Sequence, residues 1–314
     1  MASRISSHFH QENHRYGQEN ILQNVSVYLP RSVLQKNLST DVWILYIHGG
    51  AWRDPEITST SFEPALEAIV SNYGSGLTLG IAGLASIDYR LTAHPDFPQD
   101  PLKTKPAHLR KALHPDHLND VHRAIAFLQN KYGFAERYIL VGHSCGATLA
   151  FQTVMKPISN DRAESDDGPG AKAQQPMAIV GVDGIYDLRL LRDHFNQYPI
   201  YQTFIEAAFG SEDVWDVVSP ATVKGQSGIE GGWSNGRLAV LAHSEGDELV
   251  DMGQLRVMSI TTERWRAADT QEQLRSVLLL DDLKGGHDDV WSKGEELAQV
   301  ITRTVNELGR LDRA

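Results

Sequence analysis

The sequence predicts an α/β fold with a mostly parallel central sheet and helices on both faces. Three observations carry this. Short runs rich in Val, Ile and Leu alternate with segments of helical periodicity along the chain, the order that a parallel sheet with crossover helices requires. The run VWILYIH (Val42 to His48) shows no polar alternation, as a strand buried on both faces demands. A further run, RYILVG (Arg137 to Gly142), passes directly into GHSCGATLAF, where strand composition changes to helix composition at Ser144.

The strand Val42 to His48 closes in Gly-Gly, so a loop must follow. A helix is expected over Phe62 to Ser71, and the second half of LTLGIAGLASIDYR reads as the next strand, closing at Asp88 to Arg90. Between Leu91 and Asp116 five prolines and three histidines stand without a period, which leaves a loop over one end of the sheet. Asp116 or Asn119 is placed to cap a helix in which Leu118, Val121, Ile125 and Leu128 recur at helical spacing, and Gly133 ends it. After the strand at Arg137 to Gly142 and its helix, the polar tract Ser159 to Pro176 is expected to be a mobile surface loop. AIVGVDGIYDL resumes strand character. A cap region is expected around 188–235, helical over Leu188 to Phe209 and ending in the flexible loop KGQSGIEGGWSNG. RLAVLAHS (Arg237 to Ser244) and SVLLLDDL (Ser276 to Leu283) are the remaining strands. A helix between Asp251 and Ala267 separates them, and a last helix covers Lys293 to Leu308. No internal repeat interrupts this order, and residues 1–314 are expected to form a single domain.

Composition narrows the function classes. A hydrophobic content of 41% and a charged content of 22% are those of an ordinary globular protein. With 29 basic against 40 acidic residues and no basic run, nucleic acid is not an expected partner. Cys145 is the lone cysteine, so neither an internal disulfide nor a thiolate metal cluster can be built from this chain. No apolar stretch is long enough for a membrane span, and the start MASRISSHFHQENHRYG lacks the apolar core of a secretory signal. The expected compartment is the cytoplasm.

Gly142-His143-Ser144-Cys145-Gly146 fits Gly-x-Ser-x-Gly between an apolar strand and a helix start. Such a pattern also occurs as an ordinary turn. Here its context suits a nucleophile whose hydroxyl projects above the sheet while the helix N-terminus faces a developing anion. His48-Gly49-Gly50-Ala51-Trp52 follows the strongest strand and precedes the serine, as an oxyanion loop does. Gly49, Gly50, Ala51 and Cys145 are its candidate residues, with backbone amides near Gly50 or Ala51 and at Cys145 as the donors. A serine needs a base, and the base needs a carboxylate to fix its tautomer. Of the 13 histidines only His287 follows the strand Arg237 to Ser244 and its loop carboxylates. Asp247, preceded by Gly246, is chosen as the acid over Glu245, Glu248 and Asp251. No metal and no cofactor are expected, since HDD at His287 to Asp289 has no partner cluster at ligand spacing.

The blocks HGGAWRDP (His48 to Pro55), GHSCGAT (Gly142 to Thr148), HSEGDEL (His243 to Leu249) and GGHDDVW (Gly285 to Trp291) together resemble fungal kynurenine formamidase, and they span most of the chain. The resemblance implies the α/β-hydrolase fold and hydrolysis of N-formyl-L-kynurenine to L-kynurenine and formate, in tryptophan degradation toward NAD. Matched motif to motif, it implies Ser144 as nucleophile, Asp247 as acid, His287 as base and the HGGAW segment as oxyanion loop. It also suggests a homodimer, with the small-molecule substrate and neither membrane nor nucleic acid as partner. For such a substrate Trp52 and Tyr186 are candidate stacking residues and Arg53 a candidate carboxylate partner, with core packing and a surface ion pair as the alternatives. Two other functions stay open: a carboxylesterase of the hormone-sensitive-lipase type, which usually has a third glycine where Ala51 stands, and a non-catalytic binding module on the same fold.

Overall fold

The computed structural model describes residues 4–31, 41–73, 80–156, 173–269 and 275–313. Most of the polar tract from Ser159 to Pro176 lies outside the described residues. A short helix, α1 (Arg4–His8), leads into β1 (Phe9–Arg15), which pairs antiparallel with β2 (Asn24–Pro30). The second strand runs antiparallel to β4 (Ile81–Ile87). From β4 onward β3 (Val42–Ile47), β5 (Tyr138–His143), β6 (Ala178–Val182), β7 (Leu238–Ser244) and β8 (Ser276–Leu283) are parallel, giving one eight-stranded sheet in the order β1-β2-β4-β3-β5-β6-β7-β8.

Both faces of the sheet are covered, and the strand pleat explains how one run feeds two cores. In β3, Trp43, Leu45 and Ile47 join one apolar layer while Val42, Ile44 and Tyr46 join the other. The second layer is closed by α2 (Glu63–Tyr73). The first is closed by α3 (Asp116–Tyr132), α4 (Cys145–Gln152) and a run of short helices, α5 (Leu188–His194), α6 (Ile200–Phe209), α7 (Glu212–Val218) and α8 (Ile229–Gly232). The helix α9 (Met252–Ala267) adds Leu255, Met258 and Trp265 to that layer, whereas α10 (Asp289–Ser292) and α11 (Glu295–Leu311) pack with α2.

Three local differences from the sequence reading have physical reasons. The hairpin β1–β2 was not anticipated, because in FHQENHR only Phe9 is buried and an edge strand of polar residues gives no apolar period. The helix α3 starts after Pro115, with no side-chain cap, since a proline that donates no amide suits a helix start, and Gly133 ends it at φ 69°. The Gly-rich segment Lys224 to Gly236, expected as a flexible loop, contains α8 and buries Ile229 and Trp233. Trp233 stacks on Trp265 at 4.4 Å, and its Nε1 donates to the Pro176 carbonyl at 2.8 Å. Among the described residues no helix is long and apolar enough to cross a membrane.

Candidate active site

The parallel strands point their carboxyl ends to one edge of the sheet, where open α/β sheets bind ligands. At its middle, between β3 and β6, β5 delivers Ser144 with its backbone held at φ 55°, ψ -125°. Positive φ strains a residue with a side chain by about 1–3 kcal/mol, so the surroundings must impose it. Ser144 N donates to the Val182 carbonyl (2.9 Å), and Ala147 N to the Ser144 carbonyl (3.0 Å). Only glycine fits on either side: a Cβ on Gly142 would lie 2.3 Å from the Gly146 carbonyl oxygen, and one on Gly146 2.3 Å from that of Ile47.

The loop after β8 brings in His287, whose Nδ1 donates to Asp247 Oδ2 at 2.7 Å. That bond fixes the tautomer and leaves Nε2 free to accept a proton. Asp247 is itself held, its Oδ1 accepting from Leu249 N and Val250 N, each at 2.8 Å. The competing carboxylates do other work: Glu248 Oε2 accepts from His287 N (3.2 Å), and Asp251 caps α9 by accepting from Gly253 N (2.7 Å). His143 Nε2 donates to the His287 carbonyl (3.2 Å), with the two rings 4.6 Å apart, which ties the His287 loop to the residue before Ser144. Ser144 and His287 are nearly closed off, at 5% and 4% exposure. Burial disfavours the imidazolium of His287, but the hydrogen bond and charge of Asp247, with Asp183 and Asp288, outweigh it, and the pKa of His287 is raised.

The segment after β3 passes directly beside Ser144. A Cβ on Gly49 would lie 2.9 Å from His143 Nδ1 and 3.0 Å from Ser144 Cβ. Gly50, Ala51 and Trp52 then take three successive left-handed conformations, φ 94°, 49° and 59°. The Trp52 amide is used internally, donating to Cys145 Sγ at 3.3 Å. Among the described residues the amides of Gly50 and Ala51 have no backbone acceptor, and Cys145, opening α4, has none within its helix. Tyr89 braces the turn: its hydroxyl lies 3.0 Å from the His48 carbonyl and 3.2 Å from that of Gly49, while its ring stacks on His48 at 4.5 Å. Burial pushes the Cys145 thiol up to about 11, so it stays protonated and does not compete as a nucleophile.

The three residues suggested for the substrate are all buried. Trp52 meets Phe209 edge-on at 4.9 Å, and its Nε1 has no hydrogen-bond partner among the described residues. Arg53 lies 5.6 Å over the Phe204 ring, and among the described residues it makes no surface ion pair and its NH1 is likewise unpartnered. Tyr186 packs edge-on against Phe151 beneath the elbow, with its hydroxyl against Gly181 and Gly184, and so sits in the core.

Asp183, at the end of β6, was not singled out from the sequence, although a carboxylate directly after a buried parallel strand lies at the ligand edge. Ligating atoms of His143, Asp183 and His287 lie within 4.8 Å of one another, as do those of Asp183, His243 and Asp247. His243 Nε2 donates to the Val250 carbonyl (3.0 Å) and Ser244 N to Asp183 Oδ1 (2.8 Å), so backbone groups hold part of this cluster in place. A surface cleft of about 710 Å³ opens between α2 and the start of α11 beside Glu63, Glu67 and Lys293. It has no imidazole in its lining to activate a nucleophile.

The chain matches the BD-FAE family over residues 25–259. It is 41% identical over 290 residues to a kynurenine formamidase-like hydrolase of Fusarium equiseti, covering 91% of this chain and 90% of that one. It is 38% identical over 272 residues to a kynurenine formamidase of Aspergillus versicolor, covering 81% and 84%. Among solved structures, a truncated carbohydrate esterase from gut microbiota superposes with a TM-score of 0.62 at 16% identity, covering 98% of each chain. An esterase of Thermogutta terrifontis superposes with a TM-score of 0.61 at 15% identity, covering 97% and 92%. These two likenesses speak to the fold, the α/β-hydrolase fold.

Proposed function

The chain belongs to the kynurenine formamidase family of α/β hydrolases, and from that premise we propose that it hydrolyses N-formyl-L-kynurenine to L-kynurenine and formate. The observation that carries the mechanism is the 2.7 Å bond from His287 Nδ1 to Asp247 at the sheet edge that also presents Ser144 at strained φ. Ser144 Oγ attacks the formyl carbon while His287 Nε2 takes its proton. The oxyanion is met by the amides of Gly50 or Ala51 and of Cys145, each worth roughly 2.7–4 kcal/mol where such donors have been removed. Protonated His287 then returns the proton to the nitrogen, so that the C–N bond breaks with departure of the neutral aryl amine rather than a poor-leaving arylamide anion. Water, deprotonated by the same imidazole, releases formate from the formyl-serine.

A formyl group needs almost no acyl pocket, which agrees with the enclosed surroundings of Ser144. The orphaned NH1 of buried Arg53, which directly follows the oxyanion loop, is a donor suited to the carboxylate of the amino-acid tail. On this reading residues 1–314 form a single domain, with the helices around 188–235 as its cap.

Ester hydrolysis is the second reading, favoured by the esterase neighbours and by a site whose chemistry serves either acyl group. The deciding experiment follows N-formyl-L-kynurenine and p-nitrophenyl acetate side by side with native protein and Ser144→Ala. Formamide hydrolysis that vanishes in Ser144→Ala supports the proposal. Cleavage of the ester alone replaces it with the second reading, and cleavage of neither leaves a binding module.

A further inference from the structure

We propose that Asp183 is a positioning residue for the reaction, a second carboxylate that orients His287 and stabilises its protonated form alongside Asp247. This rests on His287 being the general base. Asp183 stands at the end of β6 with φ 45°, a conformation that an aspartate adopts at some strain. Its amide donates to the Ala242 carbonyl at 2.9 Å and its Oδ1 accepts from Ser244 N at 2.8 Å, so the side chain is fixed between β6 and the start of the Asp247 loop. The other oxygen, Oδ2, has no hydrogen-bond partner among the described residues although the residue is fully buried.

A buried carboxylate with an unpartnered oxygen is destabilising unless a positive charge faces it. The titratable groups around Asp183 are His143 from β5, Tyr186 from the loop after β6, His243 from β7, Asp247 and Glu248 from the loop after β7, and His287 from the loop after β8. Tyr186 is kept neutral by burial, and burial also holds His143 and His243 towards their neutral forms. Asp247 and Glu248 repel it. Of the three imidazoles, His287 is the one whose pKa is raised, and it has a ligating atom within 4.8 Å of the Asp183 carboxylate. The positive charge that Asp183 awaits is therefore the imidazolium formed when the Ser144 proton arrives. Desolvation and the Asp247 charge push Asp183 itself up to about 7, so its charge is available near neutrality and withdrawn below it.

Asp183→Asn keeps the volume and the acceptor for Ser244 N while removing the charge. In substrate-free protein, NMR titration of the His287 ring should then give a pKa lower by about one unit. The acid limb of kcat/KM should move to lower pH by the same amount, and kcat should fall severalfold with KM unchanged. In the Asp247→Asn background the same substitution should cost more than in native protein, because the remaining carboxylate then carries the role alone. An unaltered His287 titration, or strictly additive losses, overturns the proposal. If Asp183→Asn does not fold, carboxyl and ring titrations in native protein decide: shared two-step curves for Asp183 and His287 support it, and independent single steps overturn it. The ring titration needs no substrate, so it separates failure of this proposal from failure of the formamidase reading.

Discussion

At His287 burial and a bonded carboxylate pull in opposite directions, and the carboxylate wins. Because a general base acts in its neutral form, the acid limb of kcat/KM should fall above pH ~6.5, the ordinary histidine value. Asp247→Asn should lower kcat by roughly a thousandfold to ten-thousandfold, since an amide at that position permits the wrong tautomer. Glu248→Gln should stay within about threefold, because a glutamine still accepts from His287 N and a neutral hydrogen bond contributes about 1 kcal/mol net. Steady-state kinetics of the two variants checks both, and equal losses would remove Asp247 from the acid's role. Chain order in the sequence brings Ser144, a loop carboxylate and His287 together, because their motifs are local. It says nothing of Tyr89, which braces the His48 and Gly49 carbonyls from forty residues away, nor of Asp183, whose importance lies in what surrounds it.

Elements announced themselves in the sequence to the extent that burial fixed their residues. The central parallel strands read as continuous apolar runs because both of their faces are covered, while β1 carries one buried residue and reads as polar coil. The segment Lys224 to Gly236 misleads for the opposite reason. Its glycines and polar residues suggest mobility, but two of its side chains, Ile229 and Trp233, anchor it, Trp233 stacking on Trp265 of α9 and bonding Pro176 just before β6. Trp233→Ala should therefore destabilise the protein by about 3–5 kcal/mol, the range for emptying a buried aromatic site. Trp233 bonds Pro176, at the amino end of β6 and so opposite the edge that holds Ser144, and kcat of the folded fraction should be unchanged. Urea unfolding with activity measured in parallel tests this. A loss under about 1 kcal/mol would return the segment to a surface loop.

Summed over the molecule, buried histidines decide how stability responds to acid. His48, His114, His117, His143 and His243 all have lowered pKa values, chiefly through burial, with His114 brought down to about 4 and His117 to about 3. In the unfolded chain each titrates near 6.5, so between that pH and about 4 the unfolded state binds protons that the folded state refuses. Stability must then fall as pH falls through this window. Asp88, Asp183 and Asp187 oppose the trend, because a raised carboxylate binds its proton more readily when folded. His287 acts outside the window: its raised pKa contributes stability below about 6.5 that is lost as pH rises through the folded value. Five groups against three leave acid destabilisation as the net result. His117 is the cleanest probe, since it is fully buried against Thr92 and Tyr89 and lies outside the Ser144 site. Thermal unfolding at a series of pH values should show a falling Tm for native protein from pH ~6.5 to ~4. In His117→Gln the slope of unfolding free energy over that range should flatten by about 1.4 kcal/mol per pH unit, the contribution of one proton. Parallel slopes in the two proteins would mean that His117 is protonated in the folded state, and that acid sensitivity arises from carboxylates at lower pH.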